Sequence, residues 1–394
     1  MEKKISRREL LTITGGAGLG SLLSLRLMEA AGDAPALPQV PRRVLGKTGQ
    51  SIPILLMGGA MNLDQVFDPK LAEAFRFGVN YFDTADCYSG GTSEMAVGNF
   101  LDRTKKRDQS WITTKSDDHN TIGIQAVLLK SLQKLKTNHV DLYFMHGLSN
   151  PNSLSPEMGK TADKMKKEGK IRFFGFSCHD STVVDLLTKA SQIGYIDAVM
   201  FRYNFRSYGN KELNQAIDLC HKAGVGLIAM KTQGSSVSFD DKVKPFQVQN
   251  YSRAQAVLKA VWADERITAA VSHMDTLEKL KENVAAALNK TKLVDSEFQS
   301  LEQYAQATKH LYCDGCQHIC GAAVPSGIQI GTTLRYLMYH DSYGESERAR
   351  RLFAELPEEA RRIENVDYTR AAELCSNGID IAAHMQRAAK VLKA

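Results

Sequence analysis

The sequence lacks long runs of basic residues, and this absence excludes one large class of partner. Its 50 Lys and Arg residues are scattered among 44 Asp and Glu residues, which leaves a formal net charge of +6. Proteins that bind nucleic acid gather their positive charge on one face or interleave it with aromatic side chains. We therefore expect no nucleic-acid partner. With 394 residues and 43% hydrophobic content, the chain can bury a large core, and its length alone suggests two domains.

Cysteine is also scarce, with seven residues in the whole chain. That number is too small for a disulfide framework in a protein of this length. The distribution is uneven, because three cysteines lie singly in the central part and four fall in the C-terminal segment. This second group needs a common explanation: Cys313, Cys316, Cys320 and Cys375.

The first 36 residues have the pattern of an export leader. A basic stretch with Arg7 and Arg8 precedes a Gly-rich apolar run from Ile13 to Leu25, and an A-x-A cleavage pattern ends at Ala36. The apolar run is too short to cross a membrane as a helix. The order S-R-R-x-L-L resembles a twin-arginine signal, so we expect residues 1–36 to engage the twin-arginine export machinery and the protein to be periplasmic. The alternatives are a disordered basic tail and an uncleaved anchor.

Residues 37–310 alternate short apolar runs with amphipathic segments, a pattern that predicts βα units around a parallel sheet. Eight such units indicate an α/β fold of the (β/α)8 TIM-barrel type rather than an open sheet. Helical periodicity is clear in stretches such as FDPKLAEAFRFG and DTLEKLKENVAAALNK. From residue 311 the strand signal disappears, and residues 311–394 are predicted to form a small, mainly helical domain. The eight apolar runs are IPILLMGG, NYFDTA, SWITTK, VDLYFMH, IRFFGFS, IDAVMFRYN, VGLIAM and ITAAVSH.

Polar side chains stand at the C-terminal ends of the second, third and fourth predicted strands. In a (β/α)8 barrel, the reacting residues come from these ends and from the loops just beyond them. Cys87 and Cys178 are placed near the same mouth, where we expect both to be small apolar fillers. An acid, a phenol, an ammonium and an imidazole converge there: Asp83, Tyr88, Lys115 and His146.

These four groups suit carbonyl reduction. A hydride that reaches a carbonyl carbon leaves an alkoxide, which needs a proton donor within hydrogen-bond reach. Tyr88 is the candidate donor, and we expect Lys115 to lower the pKa of its phenol from about 10, with Asp83 holding Lys115 in place. A neutral His146 can donate to the carbonyl oxygen and orient it.

The stretch GVNYFDTADCYSGGTSEMAVGNFL, followed by ITTK, DLYFMHG, IRFFGFS and LEKLKEN, resembles the aldo-keto reductase family over roughly residues 42–295. The resemblance implies the same barrel and a reversible hydride transfer between NADPH and a small-molecule aldehyde or ketone. It also implies a catalytic tetrad made of Asp83, Tyr88, Lys115 and His146.

The nucleotide side of the resemblance matches less closely. Cys178 stands where the family has an asparagine, and Met230 and Lys231 stand where an aromatic residue often stacks on the nicotinamide. His273 replaces a lysine that is frequent at the 2′-phosphate grip, so both NADP and NAD stay open. The resemblance assigns nucleotide contacts to Ser177, Met230, Lys231, Lys279, Glu282 and Asn283.

The C-terminal segment contains a half-erased repeat, in which VPSGIQI at residues 324–330 parallels CSNGIDI at residues 375–381. Bacterial ferredoxin-like sequences contain the run C-x2-C-x2-C-x3-C-P twice, and the fourth cysteine of each run ligates the cluster of the other. By this pattern, the first run retains its first three cysteines, at residues 313, 316 and 320, and the second run retains only its fourth, at residue 375. The repeat predicts one [4Fe-4S] cluster in a ferredoxin-like domain, held by Cys313, Cys316, Cys320 and Cys375.

Two other readings of these cysteines are open. A structural zinc site uses Cys-x2-Cys equally well, and His310, His318 or His340 could replace one cysteine. The four thiols could also be unligated. The expected export favours the cluster, because free thiols that reach an oxidising compartment pair or oxidise.

The sequence therefore supports two functions of different classes. The first is an exported, NAD(P)-linked aldehyde or ketone reductase with a fused single-cluster domain. The second is an electron-transfer or scaffold protein whose barrel is not catalytic and whose cluster serves a redox partner protein. A third reading is an iron-sulfur enzyme that uses the barrel mouth with another electron donor.

Overall fold

The computed structural model of the protein describes residues 37–179, 182–233 and 245–393. The predicted leader, residues 1–36, lies outside the described residues. From Gln39 onward the chain forms one compact unit. None of the described helices combines the length and the apolar character needed to cross a membrane.

Eight parallel strands form a closed barrel, which confirms the predicted fold of this part of the chain. The strands follow one another around the barrel in chain order, and the last pairs with the first, Ala270 opposite Leu55. Each strand is buried almost throughout, which explains the continuous apolar runs of the sequence. The barrel strands are β3 (Leu55–Gly58), β4 (Tyr81–Asp83), β5 (Trp111–Ser116), β6 (Val140–Met145), β7 (Ile171–Cys178), β8 (Ala198–Arg202), β9 (Gly226–Met230) and β10 (Ala269–Ser272).

Helices follow the strands and cover the barrel. Several begin at capping residues that the sequence makes visible, such as Asp68, which accepts from the Lys70 N–H, and Ser252, which forms a capping box with Gln255. The helices of this part are α1 (Pro69–Arg76), α2 (Thr92–Thr104), α3 (Gly123–Lys134), α4 (Pro156–Lys167), α5 (Val183–Ile193), α6 (Lys211–Lys222), α7 (Arg253–Ala263), α8 (Leu277–Leu288) and α9 (Asp295–Ala307).

A two-stranded antiparallel hairpin precedes the barrel, β1 (Arg42–Val44) with β2 (Ser51–Pro53). Its Leu45 and Ile52 are fully buried in the inner core of the barrel. The Lys47 N–H donates to the carbonyl of Gly224, just before β9 begins. The hairpin therefore closes the end of the barrel at which the strands start, and the opposite end is left for chemistry.

The segment after α9 is helical, and residues 311–393 contain no strand. It has its own hydrophobic core, in which Leu337, Phe353 and Met385 are buried. Arg206, which follows β8, donates to Thr308 and lies over the ring of Tyr312, so the barrel is linked to the start of this segment. Its ferredoxin-like identity stays a prediction. The helices are α10 (Gln317–Cys320), α11 (Ile330–Asp341), α12 (Ser346–Ala354), α13 (Glu358–Arg361), α14 (Thr369–Glu373) and α15 (Ile381–Leu392).

Candidate active site

The four predicted catalytic side chains lie together at the C-terminal end of the barrel. Asp83 ends β4, Lys115 lies in β5 and His146 directly follows β6. The Lys115 ammonium is 2.7 Å from Asp83 Oδ1 and 3.3 Å from the Tyr88 hydroxyl. The rings of Tyr88 and His146 meet edge to face, with 5.4 Å between their centroids. The structure therefore places an acid, an ammonium, a phenol and an imidazole within one small volume.

A left-handed turn sets the position of Tyr88. Ser89, Gly90 and Gly91 all have positive φ, and α2 begins at the next residue. Gly91 has φ 86°, a left-handed backbone angle that L side chains rarely adopt, so this angle favours glycine. The sequence letters YSGG therefore encode the turn that directs Tyr88 back over Lys115.

Asp83 and Lys115 form a buried ion pair. Their side chains are 4% and 1% exposed, and the ammonium also donates to the carbonyl of Thr84 at 2.7 Å. Removal of one partner from such a pair leaves an uncompensated buried charge, at a cost of about 3–5 kcal/mol. The pair fixes the ammonium beside Tyr88.

The electrostatics of Tyr88 differ from the sequence prediction. Burial raises the pKa of the Tyr88 phenol well above its ordinary value, and the charges of Asp83, Cys87 and Asp117 raise it further. The predicted lowering of this pKa by Lys115 was wrong because burial of the phenol is the largest influence on it. The Tyr88 hydroxyl therefore keeps its proton throughout the neutral range and is available as a donor.

Two residues that the sequence did not assign to the site contact His146. Its Nδ1 is 2.7 Å from Asp117 Oδ1 and 3.5 Å from Cys87 Sγ. Cys178 is buried, as expected of a small apolar filler, but Cys87 is exposed, so that prediction was wrong for Cys87. Although Cys87 is exposed as a residue, partial desolvation of its sulfur and the nearby charge of Asp117 raise the pKa of the thiol to about 12 in the absence of a cation.

The predicted nicotinamide contacts are Ser177, Met230 and Lys231. Ser177 is buried near the end of β7, and its hydroxyl accepts from the Gly147 N–H at 2.9 Å, which holds the chain just after His146. Met230 packs in the inner core of the barrel. Lys231 follows it with a left-handed backbone (φ 59°). All three lie at the C-terminal ends of their strands, the side on which the tetrad lies.

The predicted adenine and phosphate contacts lie together in α8, and each is engaged with a neighbour. Lys279 forms an ion pair with Asp275 at 2.7 Å, and its side chain is half exposed. Glu282 accepts from the hydroxyl of Ser252. Asn283 is buried and donates to Ser272 at 2.9 Å. Of the three, Lys279 carries the positive charge, and a phosphate would have to replace Asp275 as its partner.

The four C-terminal cysteines line one cavity, together with apolar side chains that include Ile319, Leu334 and Ile381. Within the described residues, no histidine lines this cavity, so His310, His318 and His340 do not complete the set. No three of the four sulfurs lie within 4.8 Å of one another among the described residues. The cysteines are Cys313, Cys316, Cys320 and Cys375.

The loop that carries Cys313 contacts the barrel mouth. Arg202, the last residue of β8, donates to the Cys313 carbonyl at 3.4 Å and lies 3.8 Å from Asp314. A Cβ atom on Gly315 would lie 2.7 Å from the Arg202 guanidinium, which shows how closely loop and barrel pack. The cysteine cavity therefore adjoins the end of the barrel that carries the tetrad.

His179 and Tyr339 also belong to this region, and sequence reasoning missed both. His179 directly follows β7, and its ring lies 6.1 Å from that of His146. Burial and then the charge of Lys231 hold the pKa of His179 well below its usual value. Burial raises the pKa of Tyr339, but Lys231, Arg335 and Arg348 outweigh it and lower the value. The strand-end position could have revealed His179, whereas nothing local marks Tyr339 in α11.

Comparison with known proteins agrees with this geometry. The model of the aldo/keto reductase family matches residues 55–286. An uncharacterized oxidoreductase of Bacillus subtilis is 24% identical over 274 residues, which cover 60% of this chain and 86% of that protein. The L-galactose dehydrogenase of Arabidopsis thaliana is 24% identical over 285 residues, 64% of this chain and 89% of that enzyme.

Solved structures share the fold. The holo form of an aldo-keto reductase from Bacillus halodurans superposes with a TM-score of 0.57 at 21% identity and covers 68% of this chain and 96% of its own. An aldo-keto reductase from Klebsiella pneumoniae in complex with NADPH gives a TM-score of 0.54 at 20% identity, over 68% of this chain and 95% of its own.

Proposed function

Because this chain belongs to the aldo/keto reductase family and is an oxidoreductase of that type, we propose that it reduces an aldehyde or ketone with NADPH. The observation that carries the proposal is the contact of Lys115 with both Asp83 and the Tyr88 hydroxyl. In this proposal NADPH supplies the hydride, and the residues of the chain supply the proton and the geometry.

Each residue of the tetrad has a separate task in the proposed reaction. Tyr88 donates the proton to the carbonyl oxygen, and its raised pKa keeps that proton in place until the alkoxide forms. Lys115 lies 4.7 Å from the Tyr88 ring centroid and provides positive charge beside the developing phenolate. Asp83 orients Lys115, and His146 orients the carbonyl.

The predicted phosphate contact Lys279 is compatible with NADPH. Its side chain is half exposed and carries a positive charge, and a 2′-phosphate would have to replace Asp275 as its partner. Ser177 would hold the nicotinamide end near the tetrad. NAD in place of NADP is the alternative within the same proposal.

The test is to measure nucleotide binding and carbonyl reduction by the purified protein. We expect NADPH to bind and to be oxidised in the presence of at least one member of a panel of aliphatic, aromatic and sugar aldehydes and ketones. NADH is assayed in parallel to decide between the two nucleotides. If neither nucleotide binds and no carbonyl is reduced, the electron-transfer or scaffold function replaces the reductase.

We propose further that the C-terminal segment is a ferredoxin-like domain that holds one [4Fe-4S] cluster. Four zinc-bound thiolates would lie about 3.8 Å apart, since tetrahedral Zn–S bonds are about 2.3 Å long. A cluster binds its thiolates to four separate iron atoms and tolerates a wider spacing, and all four cysteines line one cavity. The apolar lining also suits it. The ligands would be Cys313, Cys316, Cys320 and Cys375.

A second function of the cluster is favoured by the contact between Arg202 and the Cys313 loop. The loop adjoins the barrel mouth, so electrons that another donor delivers to the cluster would arrive beside the proposed substrate site, as in an iron-sulfur enzyme that uses this mouth. In the scaffold alternative the barrel is not catalytic, and the cluster passes electrons to a redox partner protein.

The proposed location is the periplasm, reached through the twin-arginine machinery. Replacement of Arg7 and Arg8 by lysine keeps the positive charge but removes the guanidinium pair that defines the signal. We expect the variant to accumulate, folded, in the cytoplasmic fraction, as measured by fractionation and immunoblotting. The matched control is Lys3→Arg with Lys4→Arg, which should be exported normally. Normal export of the Arg7→Lys, Arg8→Lys variant would remove the twin-arginine assignment.

A further inference from the structure

Three side chains at the barrel mouth combine a thiol, an imidazole and a carboxylate. Cys87 Sγ, His146 Nδ1 and an oxygen of Asp117 all lie within 4.8 Å of one another. We propose that these three side chains bind a divalent cation of the zinc class, at a site separate from the four-cysteine cavity. The cation would have a fourth, open position for water or a substrate oxygen.

The distances between the three ligand atoms are close to those of a zinc site. Tetrahedral bonds of about 2.3 Å to sulfur and about 2.0 Å to nitrogen place these two ligands about 3.5 Å apart. Cys87 Sγ and His146 Nδ1 are 3.5 Å apart in the structure. Asp117 Oδ1 is 2.7 Å from Nδ1 and would have to withdraw to about 3.3 Å. Its side chain is 57% exposed, so solvent leaves room for that rotation.

The local charge also favours a cation. Among the described residues, Asp117 forms no ion pair with a lysine or arginine. Asp86, the neighbour of Cys87, has a buried carboxylate oxygen without a hydrogen-bond partner in the part of the chain that the structure describes. Neither carboxylate forms an ion pair with a lysine or arginine among the described residues, and a bound cation would supply positive charge beside them.

A second group of potential ligands, His273, Asp275 and Glu345, serves as a comparison. Its carboxylates are already neutralised, because Asp275 holds Lys279 at 2.7 Å and Glu345 holds Arg348 at 2.7 Å. A cation there would have to displace two ammonium or guanidinium groups. The site at Cys87 carries no such competition, so we assign the cation to it.

The cation would change the hydrogen-bonding state of His146. When Nδ1–H donates to Asp117, the Nε2 of a neutral imidazole has no proton and can only accept. A cation on Nδ1 places the remaining proton on Nε2, which can then donate to a carbonyl oxygen. This consequence rests on the proposed reductase function, whereas the binding of the cation does not.

The full-length protein is titrated with Co²⁺, a coloured substitute for Zn²⁺. Any metal that the C-terminal cysteines hold after purification is left in place. We expect one Co²⁺ per chain in addition to the metal already present, with a thiolate-to-Co²⁺ charge-transfer band in the difference spectrum. Cys87→Ser should remove that band and weaken binding at least about 10-fold, and Asp117→Asn should weaken binding by a similar factor while the band persists. Zn²⁺ should displace the bound Co²⁺.

Two variants provide matched controls. Cys220→Ser removes a buried thiol of α6, and Asp118→Asn changes the adjacent carboxylate, whose Oδ1 accepts from the Asn120 N–H. Both should keep the band and the affinity. If Cys87→Ser keeps the charge-transfer band, or if the wild-type protein takes up no Co²⁺, the proposed site is wrong. If the protein reduces carbonyls but takes up no Co²⁺, only the cation site is refuted. If it binds Co²⁺ but reduces no carbonyl, only the reductase function is refuted.

Discussion

Tyr88→Phe should lower the rate of carbonyl reduction at least about 10²-fold, the usual size of a general-acid contribution. The substitution removes the hydroxyl that lies 3.3 Å from Lys115 and keeps the ring that packs edge to face on His146. Folding and nucleotide binding should therefore be unchanged. The measurement is NADPH oxidation with the best aldehyde of the panel, beside circular dichroism and nucleotide titration of the same variant.

The pH dependence separates this role from a structural one. Since burial and Asp83 raise the pKa of Tyr88, the donor stays protonated as pH rises through neutrality. Wild-type kcat/KM should therefore stay constant across neutral pH and fall only in the alkaline range, above the ordinary pKa of about 10 for a phenol. Tyr208→Phe is the matched control, because it removes a hydroxyl that bonds to the Ala260 carbonyl elsewhere in the barrel. Full activity in Tyr88→Phe would eliminate Tyr88 as the proton donor.

Cys375→Ser should abolish the iron-sulfur cluster as completely as Cys313→Ser does. The two residues are far apart in sequence but line the same cavity, so each would supply one of four thiolates to a single cluster. Protein purified without oxygen should be brown and contain about four iron and four sulfide per chain, whereas both variants should be colourless. Iron and sulfide analysis and the visible absorption spectrum measure the loss.

Cys220→Ser is the control for this prediction, because its sulfur donates to the Leu187 carbonyl away from the cavity. It should keep the full iron content. Stoichiometric zinc without iron in the wild-type protein would favour the structural zinc site instead. A normal cluster in Cys375→Ser would show that the half-erased repeat had been misread.

The barrel could be predicted because its strands are buried on both faces. Runs such as VDLYFMH and VGLIAM therefore appear in the sequence as continuous apolar stretches, and β6 and β9 lie within them. The hairpin of β1 and β2 could not be predicted in this way. Its strands have three residues each, too few to show a period, and its burial depends on Leu45 and Ile52 meeting the inner core.

The residues of the site could be predicted from the sequence, but the direction of the pKa shift of Tyr88 could not. Asp83, Lys115 and His146 lie at or just beyond strand ends, positions that the barrel fold brings to one mouth. The sign of the pKa shift of Tyr88 depends on burial and on the short Lys115–Asp83 distance, which the order of residues does not contain. Tyr339 reaches the same region from α11, and only the packing of the C-terminal segment on the barrel brings it there.

The position of Cys375 sets an order of events during synthesis of the protein. The barrel closes when β10 pairs with β3, and all of β10 precedes the cysteine loop in the chain. Cys313, Cys316 and Cys320 emerge next, and the fourth proposed ligand, Cys375, emerges only after α11 to α14. A cell would therefore hold a finished barrel with a three-thiol loop before it could load the proposed cluster. Insertion of the proposed cluster would follow synthesis of the whole barrel and of α11 to α14, which all precede Cys375 in the chain.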